Sequence, residues 1–255
     1  MILDQKSALL TVKKVLTADF ACKAGAFDEA GVSICQVKNA AVARRFPRPG
    51  KFLAVVSMGQ GAVICCSRDR LRWAKNNLSQ YSRDGLFSAA AVTCMQDYVA
   101  PDNQVMVGPY SKYICTQDTF RPYAIKKGII LIEGEEILRL YPNSQFPNAL
   151  GHYPNVQRPT VIACVARDNK KIIGAAGASV DCEVMWQLGI DVLPDYRYQG
   201  IGRALVSRLT AAVLQKGILP YYTTTVSNIA SRRIATSLGY QPTWVEMYSA
   251  DKPAV

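Results

Sequence analysis

The sequence is poor in the residues and runs that several protein classes require. Its 255 residues contain a single histidine, His152, and no two of its eight cysteines are spaced as C-x-x-C. Because structural zinc sites use several closely spaced Cys or His ligands, we expect no metal site and reduced, largely buried thiols. No apolar run approaches the roughly 18–20 residues of a membrane span, and the N-terminus resembles no signal peptide. These absences favour a cytoplasmic protein with no membrane partner.

The charged residues are unbalanced in sign but spread along the chain. Thirty Lys and Arg residues against 19 Asp and Glu residues give a net charge of +11, while 49% of the residues are apolar. That composition is typical of a globular chain long enough for one large domain or two small ones. A basic surface attracts nucleic acid, an acidic partner or a polyanionic cofactor. The chain contains no basic helix with interleaved aromatic residues, so the sequence disfavours nucleic acid as the partner.

The N-terminal half, residues 1–140, is predicted to be an α/β region. A stretch at 45–50 with two prolines and a glycine predicts a loop. Two short apolar runs on either side of Gly59 and Gly61 predict a β-hairpin. Ser67 is a suitable N-cap for a helix that follows the hairpin. The predicted elements are strands at 52–57 and 62–66, helices at 67–78 and 86–98, and an extended segment at 104–115.

A stretch rich in Pro and Asn, residues 141–159, is the predicted boundary between the halves. It contains His152, for which the pattern favours an ordinary loop histidine. Residues 155–255 form the second predicted domain. Its first three strands form an antiparallel meander, after which helices and strands alternate, so the fold class is α/β (α+β). The strands predicted in this domain are 160–165, 172–180, 183–192 and 220–226.

The most informative segment begins where the third of these strands ends. After Val192, Pro194 prevents the strand from continuing, and a loop with Gly200 and Gly202 opens directly into a helix. Free N–H groups at a helix N-terminus form an anion site, and glycines let a phosphate approach the backbone. An ordinary strand–turn–helix explains the same residues, and neither G-x-x-x-x-G-K-[ST] nor G-x-G-x-x-G is present. The helix presents one apolar face, formed by Leu205, Leu209, Ala212 and Val213.

Two motifs at a characteristic spacing give this loop a family resemblance. Arg197-x-x-Gly200-x-Gly202 matches the [QR]-x-x-G-x-[GA] loop of the GNAT superfamily of acyl-CoA N-acyltransferases. About thirty residues later, Asn228 opens a helix that ends at Gly239 followed by an aromatic residue, which resembles the second landmark of that family. The resemblance covers roughly residues 160–248. The whole chain looks like the larger, two-part members, similar to glycine N-acyltransferase-like proteins.

The resemblance implies a mixed central sheet in the C-terminal half and acetyl-CoA, or another acyl-CoA, as co-substrate without a metal. The strand ending at Val192 and the strand at 220–226 should run parallel and splay apart around the pantetheine arm. The pyrophosphate should lie on the N–H groups of Gln199 to Arg203. The implied N-terminal half is a degenerate copy of the same fold that shapes the acceptor pocket or packs as a partner domain. The implied cofactor-binding residues are Ile190, Asp191, Val192, Arg197, Tyr198, Gln199, Gly200, Ile201, Gly202, Arg203 and Asn228.

The activity implied by the resemblance is direct attack of a primary amine on the thioester within a ternary complex. The acceptor is a small molecule or a protein amine, and the sequence leaves the oligomeric state open, with a homodimer among the options. Many family members carry a tyrosine seven residues after the Asn, where this chain has Ala235. That departure keeps a second function open, a CoA-binding regulatory module with little or no turnover.

The catalytic candidates replace that missing tyrosine or supply a general base. Tyr222 on the neighbouring strand and Ser231 in the first helical turn are the nearest groups that could protonate the leaving thiolate, unless it leaves unassisted. A base is needed only if the amine arrives protonated. Glu183, predicted to lie on the strand before the loop, is the first candidate base, with Asp181 and Asp191 as rivals.

Overall fold

In the computed structural model, residues 4–46, 48–125, 128–142 and 145–252 are described, and they form six α-helices and ten β-strands. The helices are α1 Gln5–Asp19, α2 Leu71–Leu78, α3 Ala89–Val99, α4 Pro147–Leu150, α5 Ile201–Gln215 and α6 Ile229–Ser237. The strands are β1 Gly31–Gln36, β2 Leu53–Ser57, β3 Gly61–Cys66, β4 Gln104–Ile114, β5 Ile129–Glu133, β6 Thr160–Asp168, β7 Lys171–Val180, β8 Met185–Val192, β9 Leu219–Thr225 and β10 Gln241–Asp251. No helix in these described ranges is both long and apolar enough to cross a membrane.

The chain divides into two compact units, each with parallel and antiparallel strand pairs. The N-terminal unit is Leu9–Lys112 together with the residues from Thr243 onward. The C-terminal unit is Tyr113–Pro242 together with the start of the chain up to Ala8. The stretch at 141–159, predicted as the boundary between the halves, therefore lies inside the C-terminal unit.

The N-terminal unit contains strands in the order β1-β3-β2-β10-β4. Strands β2 and β3 form the predicted hairpin, with antiparallel register from Leu53–Cys66 to Ser57–Ala62, and β1 runs parallel to β3. Every residue of β2 and β3 is buried, as expected for short apolar runs covered on both faces. The predicted extended segment at 104–115 is confirmed as β4.

Both predicted helix starts in this unit are displaced by a few residues. Ser67 makes no side-chain cap, because its Oγ accepts a hydrogen bond from the Phe52 N–H at 3.2 Å. A short 3₁₀ turn, Arg68–Arg70, follows it, and α2 begins only at Leu71. Helix α3 begins at Ala89, where Ser88 caps it by accepting from the Ala91 N–H. Serine is a good cap in sequence terms, yet tertiary hydrogen bonding decides which serine is used.

The C-terminal unit contains strands in the order β9-β8-β7-β6-β5. Strands β5 to β8 pair antiparallel, and β8 pairs parallel with β9, so the predicted meander and the predicted mixed sheet are confirmed. Helix α5 buries the predicted face and packs against β6, β7 and β8. Strand β8 begins at Met185, two residues later than predicted.

The proline-rich stretch belongs to this unit because α4 lies directly on the sheet. A Cβ placed on Gly177 would come within 2.1 Å of the Ala149 carbonyl oxygen, and one on Gly189 within 1.8 Å of the Asn148 carbonyl oxygen. Only glycine permits that approach. The Asp191 carboxylate accepts from the N–H groups of Asn148 and Ala149 at 2.7 and 2.9 Å, which fixes the start of the helix.

The cysteines are all free thiols, and most lie inside the two units. Five are buried, and Cys22, Cys35 and Cys94 are partly exposed, so the prediction of buried thiols holds for the majority only. Burial raises the pKa of the Cys164 thiol to about 12. Such a thiol is not a ready nucleophile, because the reactive form is the thiolate.

Candidate functional site

The parallel strands β8 and β9 separate part-way along their length. Their register runs from Met185–Leu219 to Leu188–Tyr222 and ends there, although the structure describes both strands to their last residues. From residue 189 onward, β8 stays paired with β7 alone. Its backbone groups on the β9 side therefore face a gap, and backbone polar groups in such a gap need a partner. The predicted splay of these two strands is confirmed.

The loop after β8 leads into the N-terminus of α5. Gly200, at φ +79°, is the residue before the first turn, and the helix begins at Ile201. A Cβ at Gly200 would lie 2.7 Å from the Oη of Tyr123, so both the backbone conformation and the contact require glycine. The first N–H groups of a helix have no partner within the helix, so this end of α5 offers donors and the positive end of the helix dipole.

Tyr123 packs against the loop, and no sequence motif predicts this role. The Arg203 guanidinium lies over the Tyr123 ring at 4.1 Å from the centroid, and Arg203 Nη2 donates to the Ser237 carbonyl at 3.2 Å. The N–H of Tyr123 donates to Ser207 Oγ at 2.8 Å. These contacts join the first turn of α5 to the end of α6 and explain why Arg203 is held in place.

The gap and the loop open into one cavity of about 500 Å³. It brings together nine of the predicted cofactor-binding residues and the candidate Ser231, and the sequence analysis missed five further residues of its lining. The predicted ones are Ile190, Asp191, Val192, Arg197, Tyr198, Gly200, Gly202, Arg203, Asn228 and Ser231, and the missed ones are Asn148, Tyr196, Ala230, Arg233 and Ile234. The segment 141–159 and the helix after Asn228 carried no separate binding signal, which is why those residues were missed.

Two predicted residues of the loop do not line this cavity with their side chains. The side chain of Ile201 is buried at 2% exposure in the core of the unit. Gln199 is exposed and donates from Nε2 to the Asp195 carbonyl at 3.2 Å. Only their backbone N–H groups could serve as donors at the start of α5.

The electrostatic character of the cavity is positive. Arg197, Arg203 and Arg233 line it, and Asp191 is the one acidic residue of the lining. The Asp191 carboxylate already accepts from the N–H and side-chain amide of Asn148 and from the Ala149 N–H. This carboxylate is therefore already bound by the start of α4. The three guanidinium groups give the cavity a positive charge, which favours phosphate groups.

The helix opened by Asn228 forms the far wall of the cavity. Asn228 Oδ1 accepts from the Ser231 N–H at 3.0 Å, so the predicted cap is confirmed. Ser231 Oγ lies 2.8 Å from the Oη of Tyr222, which joins the two predicted thiolate-protonating candidates in one hydrogen bond. Burial raises the pKa of Tyr222 to about 12, so its phenol keeps its proton near neutral pH. Ala235 is fully buried.

Two of the three candidate bases lie away from the cavity, and the third, Asp191, lines it but is bound by the start of α4. Glu183 was expected on the strand, but it lies in the bend before β8, is exposed and does not line the cavity. Asp181 is fully buried and bound by Arg158, Ser179 and Tyr221. Residues 181–184 form the bend that precedes β8. Glu183 therefore lies before the strand begins and away from the gap.

A second cavity, of about 600 Å³, lies beside the first within the same unit. Asn148 lines both cavities, and β8 contributes Gly189 to the second and Ile190 to the first. His152 lines the second cavity as an exposed loop residue. The described residues hold no group of three or more His, Cys, Asp or Glu side chains that could bind a metal ion.

Comparison with known proteins identifies the domain that carries these features. The model of the acetyltransferase (GNAT) family matches residues 132–240. No curated protein matches the sequence significantly. Among solved structures, the chain is similar to a GCN5-related N-acetyltransferase-like protein from Streptococcus suis, with 15% identity, coverage of 78% of this chain and 83% of that one, and a TM-score of 0.49.

Two further solved structures are also similar to this chain. A GNAT-family acetyltransferase from Colwellia psychrerythraea is 15% identical, with 99% of each chain covered and a TM-score of 0.44. The aminoglycoside N-acetyltransferase AAC(6')-Iy in complex with CoA is 26% identical over 32% of this chain and 69% of that one, with a TM-score of 0.29. None of these three is a glycine N-acyltransferase-like protein, so that narrower assignment stays a prediction. The family model carries the comparison: it matches less than half of the chain, and residues 132–240 are similar to a GNAT acetyltransferase domain.

Proposed function

We propose that the C-terminal unit is an acyl-CoA N-acyltransferase that binds acetyl-CoA, or another acyl-CoA, in the 500 Å³ cavity and passes the acyl group to a primary amine. The observation that carries this proposal is the junction of the splayed strands β8 and β9 with the N-terminus of α5 inside one arginine-lined cavity. A strand edge with unpaired backbone suits the amides of a pantetheine arm, and a helix N-terminus suits a pyrophosphate.

Two parts of the cavity suit the two ends of the donor. The pantetheine amides would pair with the backbone of residues 190–192, where β8 has lost β9 as a partner. The pyrophosphate would accept from the N–H groups at the start of α5, with Arg197 and Arg203 beside it. The thioester then lies near the point where the strands separate, next to Ser231 and the phenol of Tyr222 behind it.

The transfer step needs a neutral amine and a protonated leaving group. The amine nitrogen attacks the thioester carbonyl, a C–N bond forms, and the N–H groups near Ile190 stabilise the oxyanion. The C–S bond breaks, the thiolate takes a proton, and the nitrogen loses one to solvent. Ser231 would donate the proton at the cavity wall, Tyr222 would restore the serine hydroxyl, and a proton from solvent, which gains one from the nitrogen, would restore the phenol.

The acceptor would lie in the second cavity. The two cavities adjoin at Asn148 and at consecutive residues of β8, so an amine in one can reach a thioester in the other. The lining of the second cavity includes no Asp or Glu among the residues that the structure describes there. It therefore suits a small amine with a single amino group better than a polycation, which binds best beside several carboxylates.

The deciding experiment is calorimetric titration with acetyl-CoA and desulfo-CoA. A Cβ at Gly202 would contact Ile234 and Val192 at 3.2 and 3.4 Å, so Gly202→Ala needs only a small adjustment of flexible side chains. Gly202→Asp adds a negative charge at the same position. We expect micromolar binding to the wild type, a modest loss in Gly202→Ala and loss of binding in Gly202→Asp. Equal CoA affinity in all three proteins would refute the site.

A CoA-binding module without turnover is the second candidate, and the buried Ala235 favours it. Its test is acetyl transfer to a panel of small primary amines, monitored by release of free CoA thiol. Transfer above the rate of donor hydrolysis supports the enzyme. Tight binding without transfer to any amine or protein substrate supports the module.

A further inference from the structure

Tyr198 has a backbone conformation that its side chain disfavours. Its φ is +62°, in the left-handed region, where a Cβ crowds the following carbonyl oxygen and where glycine is the relaxed choice. Three other non-glycine residues among those described share a positive φ, and two of these are asparagines, which tolerate it well. A tyrosine in this position therefore needs a reason that outweighs the strain.

Packing does not supply that reason. The Tyr198 side chain is 98% exposed, the most exposed of the large apolar and aromatic side chains described. A side chain in water gains no burial energy, so the folded chain would be at least as stable with glycine here. The loop conformation itself is maintained by neighbours, since Arg197 Nε donates to the Val192 carbonyl at 3.0 Å and Tyr123 lies against Gly200.

The position of Tyr198 in the lining of the 500 Å³ cavity, called the donor cavity from here on, points to a ligand instead. Beyond the point where β8 and β9 separate, the lining runs along β8 from Ile190 to Val192 and then along the loop, so Tyr198 lies at the loop end of the cavity. If the proposed function is correct, the acyl group lies near the point where the strands separate and the pyrophosphate at the first turn of α5. The nucleoside of CoA is then the part that reaches the loop end.

We propose that the ring of Tyr198 stacks on the adenine of the bound acyl-CoA. This inference rests on the proposed function and assigns to a side chain the recognition of the nucleoside. An adenine offers a flat π-face, and an exposed tyrosine in the lining of the cavity offers a ring on which that face can stack. The strained φ is then part of the site, because it turns the ring out of the loop and toward the nucleotide.

The test compares ligands with and without adenosine on four proteins by isothermal titration calorimetry. The ligands are CoA, 3′,5′-ADP and 4′-phosphopantetheine, which keeps the pantetheine and one phosphate but lacks the adenosine. The proteins are the wild type, Tyr198→Gly, Tyr198→Asn and Tyr198→Phe. Glycine and asparagine both accept the left-handed conformation without the ring, whereas phenylalanine keeps the ring without the hydroxyl.

We expect Tyr198→Gly and Tyr198→Asn to bind CoA and 3′,5′-ADP about tenfold more weakly, as stacking losses on alanine substitution usually are. Tyr198→Phe should stay within about twofold of the wild type by the same measure. Binding of 4′-phosphopantetheine should be equal in all four proteins. Thermal unfolding of Tyr198→Gly should occur at or above the wild-type temperature, so that weaker binding is not a sign of misfolding.

Two results would overturn the inference without refuting the proposed function. Unchanged CoA affinity in Tyr198→Gly and Tyr198→Asn would remove Tyr198 from the site while leaving the donor cavity intact. An equal loss for CoA and 4′-phosphopantetheine would show that Tyr198 acts by ordering the phosphate loop and not by stacking. If the wild type binds neither CoA nor 3′,5′-ADP, the proposed function fails, and this inference fails with it.

Discussion

The two units use their basic residues in opposite ways. In the N-terminal unit, Arg44 and Lys112 are buried and paired with Glu246 at 2.8 Å, and Arg44 also pairs with the buried Asp19. In the C-terminal unit, the three arginines that line the donor cavity share its lining with one carboxylate, which is already bound by α4. Charges that are balanced inside a unit serve its fold, and charges left unbalanced around a cavity are available to a ligand.

The strongest way to break this comparison is to remove Glu246. It accepts from Arg44, Lys112 and the indole N–H of Trp244, and it is only 4% exposed. Glu246→Gln keeps the shape but removes the negative charge that pairs with Lys112 and that Arg44 has in addition to Asp19. We expect a loss of about 3–5 kcal/mol in the free energy of unfolding, measured by urea denaturation.

The control for that prediction is an exposed carboxylate of the same type. Glu135 is exposed at the start of a short 3₁₀ helix, Gly134–Leu140, and Glu135→Gln should change the free energy of unfolding by less than about 0.5 kcal/mol. Similar losses in the two variants would mean that the buried cluster is not a stabilising network.

The second prediction concerns the pH at which this network fails. Burial alone would raise the pKa of Glu246, but the charges of Arg44 and Lys112 outweigh it and lower that pKa well below its usual range. A carboxyl group with a lowered folded-state pKa contributes stability above its unfolded pKa and loses it as the pH falls further. The difference between the wild type and Glu246→Gln should therefore shrink by on the order of 2–3 kcal/mol between pH 6 and pH 2. Urea midpoints across that range test this, and a constant difference would contradict it.

The third prediction concerns the hydrogen-bonded pair of Tyr222 and Ser231, of which Ser231 lines the donor cavity. Tyr222→Phe and Ser231→Ala each remove one partner of the 2.8 Å hydrogen bond between them. If the pair delivers a proton to the leaving thiolate, each change should lower kcat about tenfold with little change in KM, and the double variant should lose little more than either single one. Because the pKa of Tyr222 is raised to about 12, the wild-type rate should show no loss of this acid up to about pH 10. Unchanged kcat in both variants would mean that the thiolate leaves unassisted.

The sequence predicted the donor side of the site well because its signals are local. The loop glycines, the strand before them and the Asn228 cap all follow one another within about forty residues, and their spacing alone indicates the strand–loop–helix geometry. The strands were predictable for the same reason, whereas the parallel, splayed pair was expected from the family resemblance. The exact starts of α2 and α3 were not predicted, since the Ser67 hydroxyl accepts from Phe52 and Ser88 caps α3.

The parts that could not be predicted depend on distant contacts. Tyr123 supports Arg203 from a segment with no motif, and Asn148 reaches the site only because Gly177 and Gly189 let α4 lie on the sheet. The network of ion pairs around Glu246 joins it to Asp19, Arg44 and Lys112, and these four residues lie far apart in the chain. Glu183 was misplaced because alternation along a strand says nothing about where the strand begins.

The smallest expected effect sharpens the comparison most, because the variant should weaken CoA binding and leave the stability of the fold nearly unchanged. Arg233 lines the donor cavity and is exposed, so Arg233→Ala should leave the free energy of unfolding within about 0.5 kcal/mol of the wild type. An exposed charge pair contributes up to about 1 kcal/mol, so CoA should bind about threefold to fivefold more weakly. The deficit should disappear at 0.5 M salt, because screening removes exposed charge interactions.

Calorimetry at low and high salt tests this prediction, with Arg232→Ala as the control. Arg232 donates to the Val226 carbonyl and to Tyr113 and does not line the cavity. An equal loss in the two variants would mean that the overall positive charge of the chain attracts CoA, and that the arginines of the cavity have no special part in binding it.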